Sequence, residues 1–109
     1  MPTDWTDKVR DAITNLETKT TDRVLDPVRS LSIIDDVVEG SLTAAEIAAL
    51  HRTPQAWIRA TLGLVTRAVG TGGGRSLAAG GWYELKSNDQ PYDVAPGFAA
   101  AWKKARGLP

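Results

Sequence analysis

A chain of 109 residues with 42% hydrophobic content is long enough for one hydrophobic core and too short for two, and that composition argues against global disorder. The absence of cysteine excludes a disulfide framework, a thiolate nucleophile and a cysteine-ligated zinc site, and a single histidine leaves imidazole metal centres short of ligands. The formal net charge of zero hides an asymmetry: residues 1–46 carry ten acids and five bases, residues 47–83 carry four arginines (Arg52, Arg59, Arg67, Arg75) and no acid, and residues 84–109 carry four bases and three acids.

An acidic half followed by a basic stretch points to a polyanion-binding face; the alternatives are ordinary solvated surface and pairing with the acidic half. The opening, MPTDWTDKVRD, has neither the basic start nor the apolar run of a secretory signal, and no stretch approaches the roughly 20 apolar residues of a membrane span. The expectation is a single cytoplasmic domain over residues 1–109, with no membrane partner.

Residues 1–25 hold an amphipathic N-terminal helix, with Trp5, Val9, Ile13, Leu16 and Thr20 at helical spacing and an acidic start that suits the helix dipole. LDPVRSLSIIDDVVEG supplies a second helix: Asp26 caps it, Pro27 takes the first helical position, and Gly40 suits the left-handed residue past its end. Its buried stripe is Val28, Leu31, Ile34 and Val38. Asp35 and Asp36 are neighbours that point apart, which argues against a carboxylate dyad and predicts solvated surface.

Thr43 and Glu46 form a capping box with Leu42 and Ile47 as its hydrophobic staple, so the next helix begins at Ala44, turns Ile47, Ala48 and Leu50 inward, and stops near His51. Thr53 followed by Pro54 repeats the cap-then-proline signal for a helix running to Val69 and closed by Gly70. Ile58, Leu62, Val65 and Val69 recur there at core spacing, widened by Trp57, Leu64 and Ala68. These three helices make a core over residues 27–70.

GTGGGRS is a turn-rich linker; it lacks the GxxxxGK[ST] spacing of a phosphate loop and follows a helix where a strand is required. RSLAAGGWYELKS, residues 75–87, reads as a hairpin of two short strands joined at Gly80 and Gly81. SNDQPYDVAPG is a loop. Pro96 opens a C-terminal helix over residues 96–107 with Phe98, Ala101 and Trp102 inward and Lys103, Lys104 and Arg106 at its cation-favouring end.

The fold class is therefore mainly α: a small helical domain with a helix-turn-helix, a short hairpin towards its C-terminal side and a final helix. Over residues 27–87 this order resembles a winged helix-turn-helix DNA-binding domain, with Ala48 as the small residue where the motif helices cross and Ile58 and Leu62 anchoring the second helix. The departures from that pattern are Arg52 at the turn position usually held by Gly, His51 at the apolar position before it, and Pro54 just after. The resemblance implies that Gln55, Ala56, Arg59 and Ala60 face base edges and that Arg52 and Thr53 lie near a phosphate. The hairpin would be the wing, with Arg75 and residues 72–74 at its base.

The chemistry suits those positions, because Gln pairs with adenine and Arg with guanine in the major groove, and the acid-free span, Arg67 and Arg75 included, adds sequence-independent attraction to phosphate. The leading expectation is a sequence-recognising DNA-binding protein, a transcriptional repressor or a phage or plasmid accessory factor, oligomeric through its acidic N-terminal helices and without cofactor, metal or small-molecule substrate. The alternative is a non-enzymatic interaction protein or phage structural component, self-associating or binding another protein through Trp5, Trp57 and Trp102. No nucleophile, metal set or cofactor cradle supports an enzyme, and His51 is read as a helix-end residue.

Overall fold

A computed structural model of the protein describes residues 5–19, 26–70, 77, 80–87 and 89–108. Helix α1 (Trp5–Lys19) buries Val9, Ala12 and Leu16, one line at helical spacing, and half-buries Trp5 and Ile13. Helix α2 (Pro27–Glu39) starts as its sequence dictates: Asp26 Oδ1 accepts the Arg29 N–H at 2.7 Å, Pro27 follows, and Gly40 closes the helix at φ 75°. The stripe on α2 is broader than expected. Ile33 and Val37 join Leu31, Ile34 and Val38 in the core, because α1, α4 and α5 all pack on this helix. Val28 does not belong to it and is 79% exposed, since burial begins only at Ser30, two residues further on.

Helix α3 (Ala44–Leu50) carries both hydrogen bonds of the capping box, Glu46 N–H to Thr43 Oγ1 at 3.2 Å and Thr43 N–H to Glu46 Oε1 at 2.9 Å. It buries Ala44, Ile47 and Ala48, while Leu50 is 63% exposed instead of inward. At about 100° per residue, Leu50 lies roughly 110° around the axis from the middle of that buried line.

Helix α4 (Gln55–Val69) ends at Gly70, φ 67°, and buries Ile58, Leu62, Val65 and Val69 as expected, together with Thr61, whose hydroxyl donates to the Trp57 carbonyl. Its start differs from the expectation. Pro54 itself occupies the capping position, at φ −61° and ψ 148°, no side chain caps the helix, and Thr53 is buried with its hydroxyl unpartnered among the described residues.

The hairpin is real but shifted along the chain. Strand β1 (Tyr83–Glu84) pairs antiparallel with β2 (Asp93–Val94), Tyr83 opposite Val94 and Glu84 opposite Asp93, so a partner strand comes from the stretch read as a loop. Upstream, Leu77 lies in a 3₁₀ turn whose N–H donates to Glu84 Oε1 at 3.1 Å, and Gly80 takes φ 89°. Most of the expected first strand, including Arg75, lies outside the described residues. Helix α5 (Pro96–Arg106) follows, ending at Gly107, and buries Phe98 and Trp102.

Phe98 is the hub of the aromatic core, with ring centroids 4.6 Å from Trp82, 5.7 Å from Trp5 and 5.9 Å from Trp102. Trp5 lies so close to Gly97 that a Cβ there would stand 2.5 Å from its Cδ1. Trp82 Nε1–H donates to Thr66 Oγ1 at 3.0 Å and fixes the hairpin to α4. Asp35 joins α2 to α5: it accepts Trp102 Nε1–H at 2.7 Å and Arg106 Nε–H and Nη2–H at 3.0 and 2.9 Å. That bidentate pair raises the Arg106 pKa above its ordinary value, chiefly through the hydrogen bonds from the guanidinium to the carboxylate. The expectation that Asp35 is solvated surface is therefore corrected; no sequence spacing links position 35 to positions 102 and 106.

Candidate nucleic-acid interface

The α3–α4 turn is built from the end of α3. Thr53 N–H donates to the Ala48 carbonyl at 2.9 Å and Arg52 N–H to the Ala49 carbonyl at 3.2 Å, the paired bonds of a Schellman helix end. That motif needs a left-handed residue after the cap, and Arg52 adopts it at φ 53°, the only non-glycine among the described residues to do so. A side chain at this position is strained, because Cβ crowds the following carbonyl. Arg52 is exposed, and Thr53 is tucked against the core side of the turn.

His51 fixes the same turn from below. Its Nε2 lies 2.5 Å from Asp36 Oδ2, and the side chains are only 12% and 27% exposed, so α2 and the α3 terminus are tied at this point. His51 caps α3, as a helix-end residue should, but its partner Asp36 is not the solvated residue expected. The two aspartates do point apart, one to His51 and one to α5.

On α4, Gln55, Ala56, Arg59, Ala60 and Arg67 are all exposed, and at about 100° per residue they share an arc of roughly 140° opposite the buried line. Small residues at 56, 60 and 63 keep the middle of that arc low, with Gln55 and Arg59 one turn apart along its edge. Arg52, Arg59 and Arg67 form no ion pair with any described acid; the described pairs are Asp7–Arg10, Asp36–His51, Asp93–Lys86 and Asp35–Arg106. Arg67 is set apart from the others, since it lines a shallow depression with Asp11, Thr14 and Asn15 of α1.

Of the sequence-predicted contacts, Arg52, Gln55, Ala56, Arg59 and Ala60 thus come together at one end of α4. Thr53 does not join them: it is 8% exposed and its hydroxyl is buried, so it is unavailable to a phosphate. Arg75 lies outside the described residues. The hairpin is unlike a phosphate-binding wing, for its described residues carry Glu84, Asp89 and Asp93 against Lys86 alone, and Lys86 is 3.5 Å from Asp93.

Its Tyr92 instead packs inward, 5% exposed. Burial raises the Tyr92 pKa and nearby Tyr83 adds to the rise, while the charge of Arg59 opposes it.

The three tryptophans proposed as interface anchors differ. Trp102 is wholly buried with its N–H on Asp35 and cannot serve. Trp5 is half-buried against Phe98, with Lys8 Nζ 5.6 Å from the centre of its ring. Trp57 is half-buried and is not part of the core cluster. Among the described residues no group of three or more His, Cys, Asp or Glu is arranged to hold a metal, and no helix is long and apolar enough to cross a membrane. Comparison with protein-family models, curated proteins and solved structures finds no match to this chain.

Proposed function

We propose that this chain is a small DNA-binding protein of helix-turn-helix type that enters the major groove with the N-terminal half of α4. The observation that carries the reading is the left-handed Arg52 turn followed by Gln55, Ala56, Arg59 and Ala60, all exposed and with neither arginine bonded to an acid among the described residues. Gln55 offers a bidentate pair to adenine and Arg59 to guanine, while Ala56 and Ala60 permit close approach and suit thymine methyl groups. Arg52 supplies a phosphate contact that fixes register. The work of the protein is occupancy, with no chemistry of its own, in a repressor or a phage or plasmid accessory factor, and a cytoplasmic location follows from that role.

The hairpin has a bracing role in this reading, tied to α4 by the Trp82 Nε1–H bond to Thr66, and phosphate contact falls to the turn. The competing reading, a protein-binding or assembly component, draws on Trp57, half-buried near the start of α4 and outside the core cluster. Fluorescence anisotropy with random-sequence duplex DNA across a salt series separates the two. DNA binding predicts affinity that falls steeply with salt and a slope reduced by about one in Arg52→Ala. A folded sample that fails to bind at low salt defeats the reading and leaves the protein interface.

A further inference from the structure

The α3–α4 turn is anchored to the rest of the molecule through a single polar side chain. Among the described residues, the contact of His51 Nε2 with Asp36 Oδ2 is the only side-chain hydrogen bond or ion pair that joins residues 51–55 to another element. Pro54 starts α4 with no side-chain cap, and the buried Thr53 hydroxyl has no partner among the described residues. The turn nonetheless keeps Arg52 at φ 53°, a backbone that an L-residue holds only where its surroundings enforce it.

Asp36 stands on α2 beside Asp35, and the two carboxylates reach in different directions. Asp35 takes the Trp102 N–H and the Arg106 guanidinium of α5, so α2 is fixed to α5 at the level from which Asp36 reaches the turn. Two consecutive residues thereby refer the position of the turn to the core.

We propose that His51 and Asp36 are positioning residues for DNA recognition: their contact holds the strained Arg52 turn and so sets the angle at which α4 meets the groove. The assignment rests on the DNA-binding reading above, and in it neither side chain touches the duplex. An ionised carboxylate only accepts, so Nε2 carries the hydrogen whether the ring is neutral or charged. The contact therefore needs a donor at position 51 and an acceptor at position 36. Charge gives the proposal a sign of its own, because removing an acid strengthens attraction to a polyanion whereas loosening the turn weakens binding.

The test pairs duplex binding by anisotropy with amide hydrogen exchange of the free protein, at a temperature where circular dichroism shows every variant folded. The variants are Asp36→Ala, Asp36→Asn, His51→Gln, His51→Phe, which keeps a ring and removes the donor, and the combination of Asp36→Ala with His51→Phe. Asp36→Ala and His51→Phe are expected to bind about three- to thirtyfold more weakly than wild type, and the combination no more weakly than the poorer single variant. Their salt slope should be unchanged, since no phosphate contact is lost. Asp36→Asn keeps an acceptor and His51→Gln a donor, so both should restore most of the affinity. In the free protein, the Arg52 and Thr53 amides that close the turn onto Ala49 and Ala48 should exchange faster in Asp36→Ala and His51→Phe than in wild type.

Wild type that fails to bind at low salt defeats the DNA-binding reading and this assignment with it. With wild-type binding intact, the positioning role alone is overturned by Asp36→Ala binding as tightly as wild type, or by unchanged exchange at Arg52 and Thr53. Equal losses in Asp36→Asn and Asp36→Ala also overturn it, since the acceptor would then be irrelevant.

Discussion

Replacing Arg52 by glycine should make the protein more stable and, under the proposed DNA-binding role, weaken its affinity for a duplex. The turn forces position 52 to φ 53°, and a left-handed backbone costs an L-residue about 1–2 kcal/mol. Glycine escapes that penalty but gives up about 0.5–1 kcal/mol to the greater freedom of the unfolded chain. The guanidinium has no ion pair to lose among the described residues, so the balance is a gain of about 0.5–1 kcal/mol. For a domain of this size that corresponds to a rise in melting temperature of about 2–8 °C.

Arg52→Ala is the control: it removes the same charge and keeps the strained backbone, so its stability should stay within about 0.5 kcal/mol of wild type. Urea and thermal unfolding followed by tryptophan fluorescence, with equal m-values required across the three proteins, measure the difference. In the DNA titration both variants should lose the same increment of salt dependence, because both lose the same cation. Glycine no more stable than alanine at this position would refute the left-handed turn and with it the geometry that presents α4.

Asp35→Ala should destabilise the fold by about 2–3 kcal/mol, because it strips the buried Trp102 N–H and the Arg106 guanidinium of their acceptor; denaturant melts check this, with Asp35→Asn intermediate. Phe98→Ala removes the hub of the aromatic core and should cost about 3–5 kcal/mol on the same assay. Tyr92 titrates above its ordinary value in the folded state, so its contribution to stability is intact below about pH 10, where the unfolded phenol begins to ionise, and is lost as pH rises towards the folded pKa. Stability measured from pH 8 to 11 should therefore fall less in Tyr92→Phe than in wild type, with the two alike at pH 8. Under the proposed role, Arg59→Ala should lower affinity for a selected duplex by about 1–3 kcal/mol and relax discrimination at one base pair, read by competition with single-base variants.

What could be read in advance followed the range of the interactions. The caps of α2 and α3 and the glycine stops at positions 40 and 70 depend on neighbours within a few residues, and each was legible from its motif, whereas Gly107, read as the last residue of the C-terminal helix, instead closes α5 in the left-handed conformation. The buried line of α4 was equally plain from spacing. Long-range pairings were not: Asp35 with Trp102 and Arg106, Asp36 with His51, and β1 with β2 in place of an upstream strand all depend on how helices pack. Val28 was assigned inward because spacing reports a helical face without reporting where the covering helices end, and Leu50 because a helix of seven residues is too short for its spacing to fix the buried face. Within the candidate site, the outward placement of Gln55, Ala56, Arg59 and Ala60 was implied by the helix-turn-helix resemblance and agrees with the buried line of α4, whereas burial of Thr53 followed from the Schellman turn, which a sequence with Arg in place of Gly does not announce.

The most direct test of the account is a ¹H–¹⁵N shift map of the labelled chain titrated with a random-sequence duplex at low salt. Entry of α4 into the major groove predicts that the largest changes gather on the backbone amides of Arg52, Gln55, Ala56, Arg59 and Ala60, with α5 and the β1–β2 hairpin little affected. Changes centred on the hairpin or on α5, with residues 52–60 silent, would contradict it.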